Sequence, residues 1–293
     1  MSWDGQPRLL QGRMNGAPTI AYRVFRPSAS PKIVVVITFG YFENMKRYRE
    51  VVERWNARGI AVAVYDLRGH GLSAGRRGFI SRFSDYTDDV EALLGELAQD
   101  DSLATLPPPV LFGHSLGGLI SIHAALRARR PLAGLALSSP YLALARKVPA
   151  AKLIPGRILA RFAPGISMPA GIRGSDCTRT PEIAEAYEDD PMNFKNANVR
   201  WFSETVRSQS EAQERASEIK LPVLCIQGAA DKIAQPAASE YFVARVGSAD
   251  KEYVALPDHY HEVLNEPDRA TTIERFAATM LRWVSAVKSG TGR

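Results

Sequence analysis

Runs of consecutive apolar residues alternate along the chain with stretches of helical spacing. Lys32 to Thr38 and Ile60 to Tyr65 are apolar at nearly every position, which is typical of strands buried on both faces of a parallel sheet. Between them, apolar residues from Met45 to Arg58 recur every three or four positions, as in an amphipathic helix, and Gly59 ends that pattern. This alternation predicts an α/β fold with a mostly parallel, doubly wound sheet.

The same periodicities predict the remaining elements. Further strands are expected at Ala17 to Phe25, Val110 to Phe112, Leu132 to Ser138, Leu221 to Gln227 and Glu252 to Leu256. Further helices are expected at Ser84 to Gln99 with Ser84 as the N-cap, at Leu119 to Arg130, from Pro236 onwards, and at Asp268 to Val287.

The alternation breaks between Tyr141 and Ser217. This stretch has no run typical of a buried strand, is rich in proline, and contains several short helical pieces. We interpret residues 141–217 as a helical cap inserted into an α/β core made of residues 1–140 and 218–293. We find no internal repeat in the sequence.

Composition and charge fit a globular enzyme in a reducing compartment. A chain of 293 residues can bury roughly 75% of its unfolded surface. Its two cysteines, Cys177 and Cys225, imply no disulfide framework. The start of the chain lacks the pattern of a signal peptide, and the longest apolar run, Ile33 to Phe39, is too short to span a bilayer. We therefore expect a cytoplasmic protein.

The net charge of +6 is a mild excess. No basic run interleaved with aromatic residues indicates nucleic-acid binding, so we expect no nucleic-acid partner. Histidine and cysteine residues do not cluster at the spacings of metal ligands, and the candidate chemistry described next needs no metal or organic cofactor. The sequence leaves the oligomeric state open.

The candidate nucleophile is Ser115, in the pattern Gly-His-Ser-Leu-Gly. An apolar strand precedes it and a helical stretch follows it, which is the context of a nucleophile elbow. In such a turn the serine adopts strained backbone angles, and Gly113 and Gly117 must be small so that strand and helix can approach. The N–H of Leu116, at the helix N-terminus, is then free to bind an oxyanion.

A serine hydroxyl needs a base, and the base needs a carboxylate that fixes its tautomer. Asp231 follows the predicted strand Leu221 to Gln227, and two histidines, His259 and His261, follow the last predicted strand. All lie at carboxyl ends of strands, which meet at one edge of the sheet. We favour His261 as the base, because it opens the final segment, and we assign His259 to the surrounding loop.

The other histidines and the second oxyanion donor complete the candidate site. We expect His70, His114 and His123 to pack or hydrogen-bond rather than act as bases. The loop after the strand Lys32 to Thr38 should supply the second oxyanion donor, which we assign to the backbone N–H of Tyr41.

These motifs resemble those of the monoacylglycerol lipase and lysophospholipase branch of the α/β-hydrolases. The resemblance extends from about Ala17 to Val287 and is weakest in the cap. It is carried by residues 39–48, by Asp-x-x-Gly-His-Gly-x-Ser-x-Gly at residues 66–75, by residues 113–118, by Gly-x-x-Asp at residues 228–231, and by His261-Glu262. It implies a Ser115-His261-Asp231 triad that cleaves carboxylic esters of single-chain lipids through an acyl-enzyme.

The chain departs from the family pattern in the early loop. Phe39 stands where the family has a histidine, and Phe42 stands where it has a second glycine. The oxyanion donor is a backbone N–H, so the chemistry survives both changes. We expect the two aromatic side chains to narrow the pocket and to affect selectivity for a glycerol headgroup.

Other hydrolases of this fold are the alternatives. A general carboxylesterase would use the same triad. An iminopeptidase would need acidic residues in the cap to hold a substrate ammonium, and residues 141–174 contain Arg and Lys but no Asp or Glu. Epoxide hydrolases and dehalogenases need an aspartate nucleophile, which Ser115 excludes. A non-catalytic ligand-binding homologue is disfavoured because all three triad positions are filled.

The first half of the cap suggests contact with a membrane. From Tyr141 to Gly174, apolar residues are interleaved with Arg146, Lys147, Lys152, Arg157 and Arg161, whereas acidic residues come only later in the cap. A segment of this kind can lie in the interface of an anionic membrane. The alternative is that its apolar face packs on the core while its basic side chains are solvated, and the sequence leaves both interpretations open.

Overall fold

A computed structural model describes residues 3–11, 17–145 and 161–288, with side chains described as far as residue 285. Within these ranges the main sheet has eight strands in the order β1-β2-β4-β3-β5-β6-β9-β10. β1 and β2 run antiparallel to their neighbours, and the other pairings are parallel. The strands are β1 (Arg8–Leu10), β2 (Ile20–Phe25), β3 (Ile33–Thr38), β4 (Ile60–Tyr65), β5 (Val110–His114), β6 (Gly134–Ser138), β9 (Val223–Gly228) and β10 (Lys251–Leu256).

Helices flank this sheet, as the fold prediction requires. α1 packs against the last helix α9, and α2 packs against α4, which also contacts α7. The helices are α1 (Arg49–Ala57), α2 (Ser84–Leu97), α3 (Asp101–Ala104), α4 (Leu116–Arg127), α5 (Gly174–Cys177), α6 (Pro181–Asp189), α7 (Val199–Glu214), α8 (Pro236–Arg245) and α9 (Arg269–Lys288). The predicted α/β-hydrolase fold with a mostly parallel sheet is confirmed.

The inner strands are buried along their whole length. Every residue of β3, β4, β5, β6 and β9 is buried, which explains why their sequences are apolar at successive positions rather than alternating. Aromatic rings fill the space between sheet and helices. For example, the ring of Phe112 lies 5.2 Å from that of Trp55 on α1 and 5.1 Å from that of Phe276 on α9.

Several details differ from the sequence prediction. The edge strand β1 was not predicted, because three residues are too few to show a period. The predicted helix from Met45 divides into a 3₁₀ turn (Met45–Tyr48) and α1. Ser84 is the first residue of α2 and not its N-cap. The loop before α2 is instead held by one carboxylate, because Asp85 accepts hydrogen bonds from the N–H groups of Ser81 and Arg82.

The segment between β6 and β9 contributes no strand to the main sheet within its described residues, 141–145 and 161–217. Those residues form α5, α6 and α7, and a small antiparallel pair made of β7 (Ser167–Pro169) and β8 (Asn196–Asn198). We propose that this segment is the cap, with the boundaries given above. Much of the basic and apolar stretch in its first half, residues 146–160, lies outside the described residues.

The strand order brings several carboxyl ends to one place. β5 lies between β3 and β6, and β9 lies between β6 and β10. The segments that follow β3, β5, β9 and β10 contain Tyr41, Ser115, Asp231 and His261, respectively. No helix in the described ranges is long and apolar enough to cross a membrane.

Candidate active site

The turn between β5 and α4 holds Ser115 in a strained conformation. Its φ is 53° and its ψ is −121°, a combination that residues other than glycine rarely adopt. The neighbouring glycines are required sterically. A Cβ at Gly113 would lie 2.4 Å from the carbonyl oxygen of Gly117, and a Cβ at Gly117 would lie 2.0 Å from the carbonyl oxygen of Thr38. The sharp turn therefore depends on both glycines, as an elbow does.

The structure brings together the three side chains predicted for the triad. His261 Nε2 lies 2.8 Å from Ser115 Oγ, and His261 Nδ1 lies 2.7 Å from Asp231 Oδ2. The carboxylate of Asp231 is itself fixed by three donors, namely Gln227 Nε2 at 2.8 Å and the backbone N–H groups of Ile233 at 2.7 Å and Ala234 at 2.9 Å. The imidazole is thus oriented with one nitrogen toward the hydroxyl and one toward the acid.

The environment of His261 favours a basic imidazole. Burial alone would lower its pKa, but the adjacent carboxylate of Asp231, with smaller contributions from Glu262 and Glu43, raises the pKa above its ordinary value of 6.5. A histidine with a raised pKa is a stronger proton acceptor. The same carboxylate stabilises the imidazolium that forms when His261 takes a proton.

His259 lies apart from this chain of hydrogen bonds. Its Nδ1 is 2.8 Å from the carbonyl oxygen of Pro257, and its Nε2 is 2.8 Å from Asp268 Oδ1.

His114, next to the nucleophile, is fully buried, and its Nδ1 is 3.1 Å from the carbonyl oxygen of Ser138. Burial, together with the nearby His261, lowers the pKa of His114 to about 3, so it stays neutral. Backbone carbonyls also contact His70 and His123.

Two backbone N–H groups flank the nucleophile. Leu116 is the first residue of α4, and Tyr41 follows Gly40, where an added Cβ would lie 3.0 Å from Ser115 Cβ. Among the described residues, no acceptor engages the N–H of Leu116 or of Tyr41. The side chain of Tyr41 is fixed, because its hydroxyl donates to the carbonyl of Gly78 at 2.6 Å. Neither N–H group is therefore occupied within the described part of the chain, and their assignment as oxyanion donors stays a prediction.

Two adjoining hollows lie between the core and the cap. The smaller, of about 50 Å³, contains Ser115 and His261, and the larger, of about 200 Å³, extends under the cap. We call them the inner and outer chambers. Their walls are mainly apolar and aromatic. Five residues border both chambers, namely Phe42, Tyr141, Ile172, Trp201 and Ile233.

Phe39 and Phe42, the two aromatic residues of the loop after β3 that depart from the family pattern, lie in different surroundings. Phe39 is fully buried, packs near Tyr48 and His70, and borders neither chamber. The expectation that it narrows the pocket was therefore wrong, because its side chain points into the core. Phe42 borders both chambers and has a φ of 71°. Such a conformation costs about 1–3 kcal/mol for a residue other than glycine.

A buried group of charges, to which the sequence analysis gave no role, lies behind the histidine. Arg47 Nη2 lies 2.6 Å from Glu262 Oε2, and both side chains are almost fully buried. Glu43 lies beside them, with its Oε1 3.5 Å from His114 Nε2. Burial, together with the negative charge of Glu262, raises the pKa of Glu43. With a pKa raised to about 7, Glu43 is protonated in part and charged in part near neutral pH.

Comparison with known proteins gives consistent matches. The model of the family described as "Serine aminopeptidase, S33" matches residues 29–268. A monoacylglycerol lipase from Mycolicibacterium smegmatis is 32% identical over 260 residues, which cover 88% of this chain and 91% of the lipase. A phospholipase from Bacillus subtilis, YtpA, is 33% identical over 82% of this chain and 91% of its own length.

Solved structures agree with the sequence matches. The crystal structure of a monoacylglycerol lipase from Paleococcus ferrophilus superposes with a TM-score of 0.82 at 27% identity, covering 90% of this chain and 99% of that one. A monoglyceride lipase from Saccharomyces cerevisiae, solved with a substrate analogue, gives a TM-score of 0.81 at 21% identity and covers 97% of this chain and 98% of its own. At that identity the second match supports the fold alone.

Proposed function

Because the chain belongs to the α/β-hydrolase family described as serine aminopeptidase S33 and has a monoacylglycerol lipase among its relatives, as the motif resemblance led us to expect, we propose that it cleaves carboxylic esters of single-chain lipids. Ser115 is the nucleophile, His261 the base and Asp231 the acid of the triad. The observation that carries the proposal is the continuous contact from Asp231 through His261 to Ser115, at 2.7 and 2.8 Å, beside an apolar chamber.

The geometry supports an acyl-enzyme mechanism. Ser115 Oγ attacks the ester carbonyl carbon while His261 Nε2 accepts the hydroxyl proton, and the N–H groups of Leu116 and Tyr41 bind the oxyanion. When the tetrahedral intermediate collapses, the bond to the alcohol breaks and His261 gives its proton to that alcohol. Water then attacks the acyl-enzyme with His261 as the base, which releases the fatty acid and restores Ser115.

The surroundings of the triad support an acyl chain as ligand. The outer chamber is lined mainly by apolar side chains, and pockets of this kind bind apolar ligand surface. The relatives with at least 30% identity are named monoacylglycerol lipase and phospholipase, so both act on lipids. We therefore propose a lipid ester as the substrate and leave the general carboxylesterase as the alternative.

An aminopeptidase activity, which the family description suggests, has less support. Such an enzyme needs a free carboxylate beside the triad to hold the substrate's ammonium group. Glu262 is paired with Arg47 at 2.6 Å, and the pKa of Glu43, raised to about 7, leaves part of Glu43 neutral near pH 7. Asp176 borders the outer chamber, but its carboxylate already accepts a hydrogen bond from the backbone N–H of Arg173 at 3.3 Å, just before α5. Lipid esters carry no ammonium on the acyl side and need no such group.

A panel of substrates tests the proposal. One preparation is assayed with a monoacylglycerol, a lysophospholipid, a short-chain p-nitrophenyl ester and an aminoacyl p-nitroanilide. We expect the highest kcat/KM with one of the two lipids and no measurable release of p-nitroaniline. A preference for the short-chain ester would favour the general carboxylesterase, and hydrolysis of the anilide would favour the aminopeptidase.

The pH dependence of catalysis should follow the raised pKa of His261. Only neutral His261 can accept the proton of Ser115, so kcat/KM is expected to fall as the pH decreases through that pKa, at a value above 6.5. The variant Asp231→Asn removes the charge that raises the pKa of His261. The pH at which its residual kcat/KM falls should therefore be lower than in the unchanged protein. The assignment would be contradicted if kcat/KM of the unchanged protein fell with a midpoint at or below pH 6.5, or if both proteins had the same midpoint.

We further propose that the cap contacts an anionic membrane surface. Among the described residues of the cap, three large apolar side chains are exposed, namely Phe162 at 77%, Ile166 at 41% and Met168 at 56%. Arg161 stands next to this patch, with its guanidinium 5.9 Å from the centre of the Phe162 ring. Exposed apolar side chains beside a cation suit the boundary between acyl chains and anionic headgroups. Arg157 and the rest of residues 146–160 lie outside the described residues, and the cytoplasmic location stays a prediction.

Vesicle binding tests this contact. We expect the protein to bind vesicles containing an anionic phospholipid at low salt and to bind less at higher salt, since exposed charges are screened within about 10 Å at 0.1 M. The double variant Arg161→Glu with Phe162→Ser should lower turnover of vesicle-borne substrate and spare a water-soluble short-chain ester. The matched control is Leu9→Ser on the edge strand β1, where Leu9 is 65% exposed. Equal losses on both substrates would indicate a packing role for this part of the cap instead.

A further inference from the structure

Phe42 stands between the triad and the space under the cap. It is one of the five residues that border both chambers, and the one among them that belongs to the loop carrying the proposed oxyanion donor Tyr41. Taking the proposed function as a basis, we propose that Phe42 is a specificity-determining residue. Its ring limits the width of the passage next to Ser115 and selects acyl groups that are unbranched beside the carbonyl.

The backbone of Phe42 indicates that its side chain is needed. With a φ of 71°, the residue lies in the left-handed region, which glycine adopts without strain. A glycine would therefore suit this turn better than any other residue. Strained residues persist where the surrounding structure holds them, and they concentrate at active sites. Here the strain places an aromatic ring at the junction of the two chambers.

Neighbouring rings hold that of Phe42 in place. Its centre lies 4.4 Å from the ring of Tyr41 and 5.2 Å from the ring of Phe194 in the cap, edge to face in both cases. Tyr41 is in turn stacked on Trp201 of α7, with the ring centres 3.7 Å apart. Phe42 is 4% exposed. The rings of Tyr41 and Phe194 lie 5.1 Å apart, so the three rings form a compact triangle. Because Phe42 is buried in this cluster, its ring cannot swing aside without moving the loop or the cap.

The consequence for a substrate follows from the arrangement of the chambers. An acyl chain that occupies the outer chamber of about 200 Å³ must reach Ser115 through the junction that Phe42 borders. The carbons nearest the carbonyl then lie beside the ring, while the rest of the chain lies beyond it. A straight chain needs only the width of a methylene there. A methyl branch on the carbon next to the carbonyl adds width directly beside the ring of Phe42.

A pair of isomeric esters tests this directly. p-Nitrophenyl pentanoate and p-nitrophenyl 2-methylbutanoate share formula and leaving group, and differ only in the branch. We expect the unchanged protein to prefer the straight ester. In Phe42→Gly and Phe42→Ala the ratio of kcat/KM, branched over straight, should rise about 10- to 200-fold, the range found for one carbon in a fitted pocket. Phe42→Ala keeps the strained φ, so its Tm should be lower than that of Phe42→Gly.

The controls separate this proposal from the proposed function. Phe202→Ala removes a ring of the cap that borders only the outer chamber, so it should change the dependence on chain length but not the ratio for the branched isomer. Ser115→Ala should remove hydrolysis of both esters. If Ser115→Ala hydrolyses them at the normal rate, the proposed function is wrong. If hydrolysis depends on Ser115 but a folded Phe42→Gly or Phe42→Ala variant keeps the original ratio, the role of Phe42 is wrong.

Discussion

Replacement of Ser115 by alanine is expected to lower kcat for every ester substrate by about 10⁴-fold or more. The variant removes the atom that we propose attacks the carbonyl, and no other hydroxyl contacts His261 Nε2 among the described residues. Residual activity should come only from the oxyanion donors and from substrate binding. The measurement is kcat under saturating substrate, followed over hours so that a slow rate can be quantified.

A matched control shows that any such loss is chemical. Ser139 is also a buried serine with a positive φ, 43°, directly after a strand of the same sheet, but it takes no part in the triad. Ser139→Ala should keep kcat within a few-fold of the unchanged protein. Both variants should retain the far-UV circular dichroism and a cooperative thermal transition. Comparable losses in the two variants would indicate that the turn, and not the hydroxyl of Ser115, was responsible.

The second large effect concerns the choice between two histidines. His261→Ala should lower kcat by about 10⁴-fold, because Ser115 loses its general base. His259→Ala should keep most of the activity, since its ring contacts the carbonyl oxygen of Pro257 and the carboxylate of Asp268 instead. The two residues are separated by one position and are both buried, so each serves as the control for the other.

The opposite pattern would overturn the assignment of the base. If His259→Ala loses activity while His261→Ala keeps it, the triad described here is not the one that works. A loss in both variants is interpreted with the help of Tm values, because His259 also ties the end of β10 to the start of α9. If His259→Ala unfolds at a lower temperature but recovers kcat when assayed well below its Tm, its role is structural and the assignment of His261 holds.

The sequence predicted the central sheet and the proximity of Ser115, Asp231 and His261, for physical reasons. β3 and β4 are buried on both faces, so their apolar runs are continuous and easily recognised. Ser115, Asp231 and His261 each follow a strand, and strand ends of a parallel sheet meet at one edge. Their positions at the ends of strands therefore sufficed to predict that they lie close together.

Other features depend on packing that a linear pattern does not contain. Phe39 and Phe42 are both aromatic and three positions apart, yet one enters the core and the other borders the chambers. Glu43 and Arg47 are four positions apart, a spacing that suggests a pair. In the structure Arg47 pairs instead with Glu262, 215 positions later. Burial of these charges could not be inferred until the fold placed α9 and its preceding loop beside the 3₁₀ turn.

The most direct test of the central claim is covalent labelling of the nucleophile. A fluorophosphonate reacts with an activated serine hydroxyl, and the mass of the intact protein reports the number of groups added. We predict one adduct, located on Ser115 by peptide mass spectrometry, none on Ser115→Ala, and a strongly slowed reaction with His261→Ala. Absence of labelling in the active, unchanged protein, or an adduct that persists in Ser115→Ala, would contradict the claim that Ser115 is the nucleophile of this hydrolase.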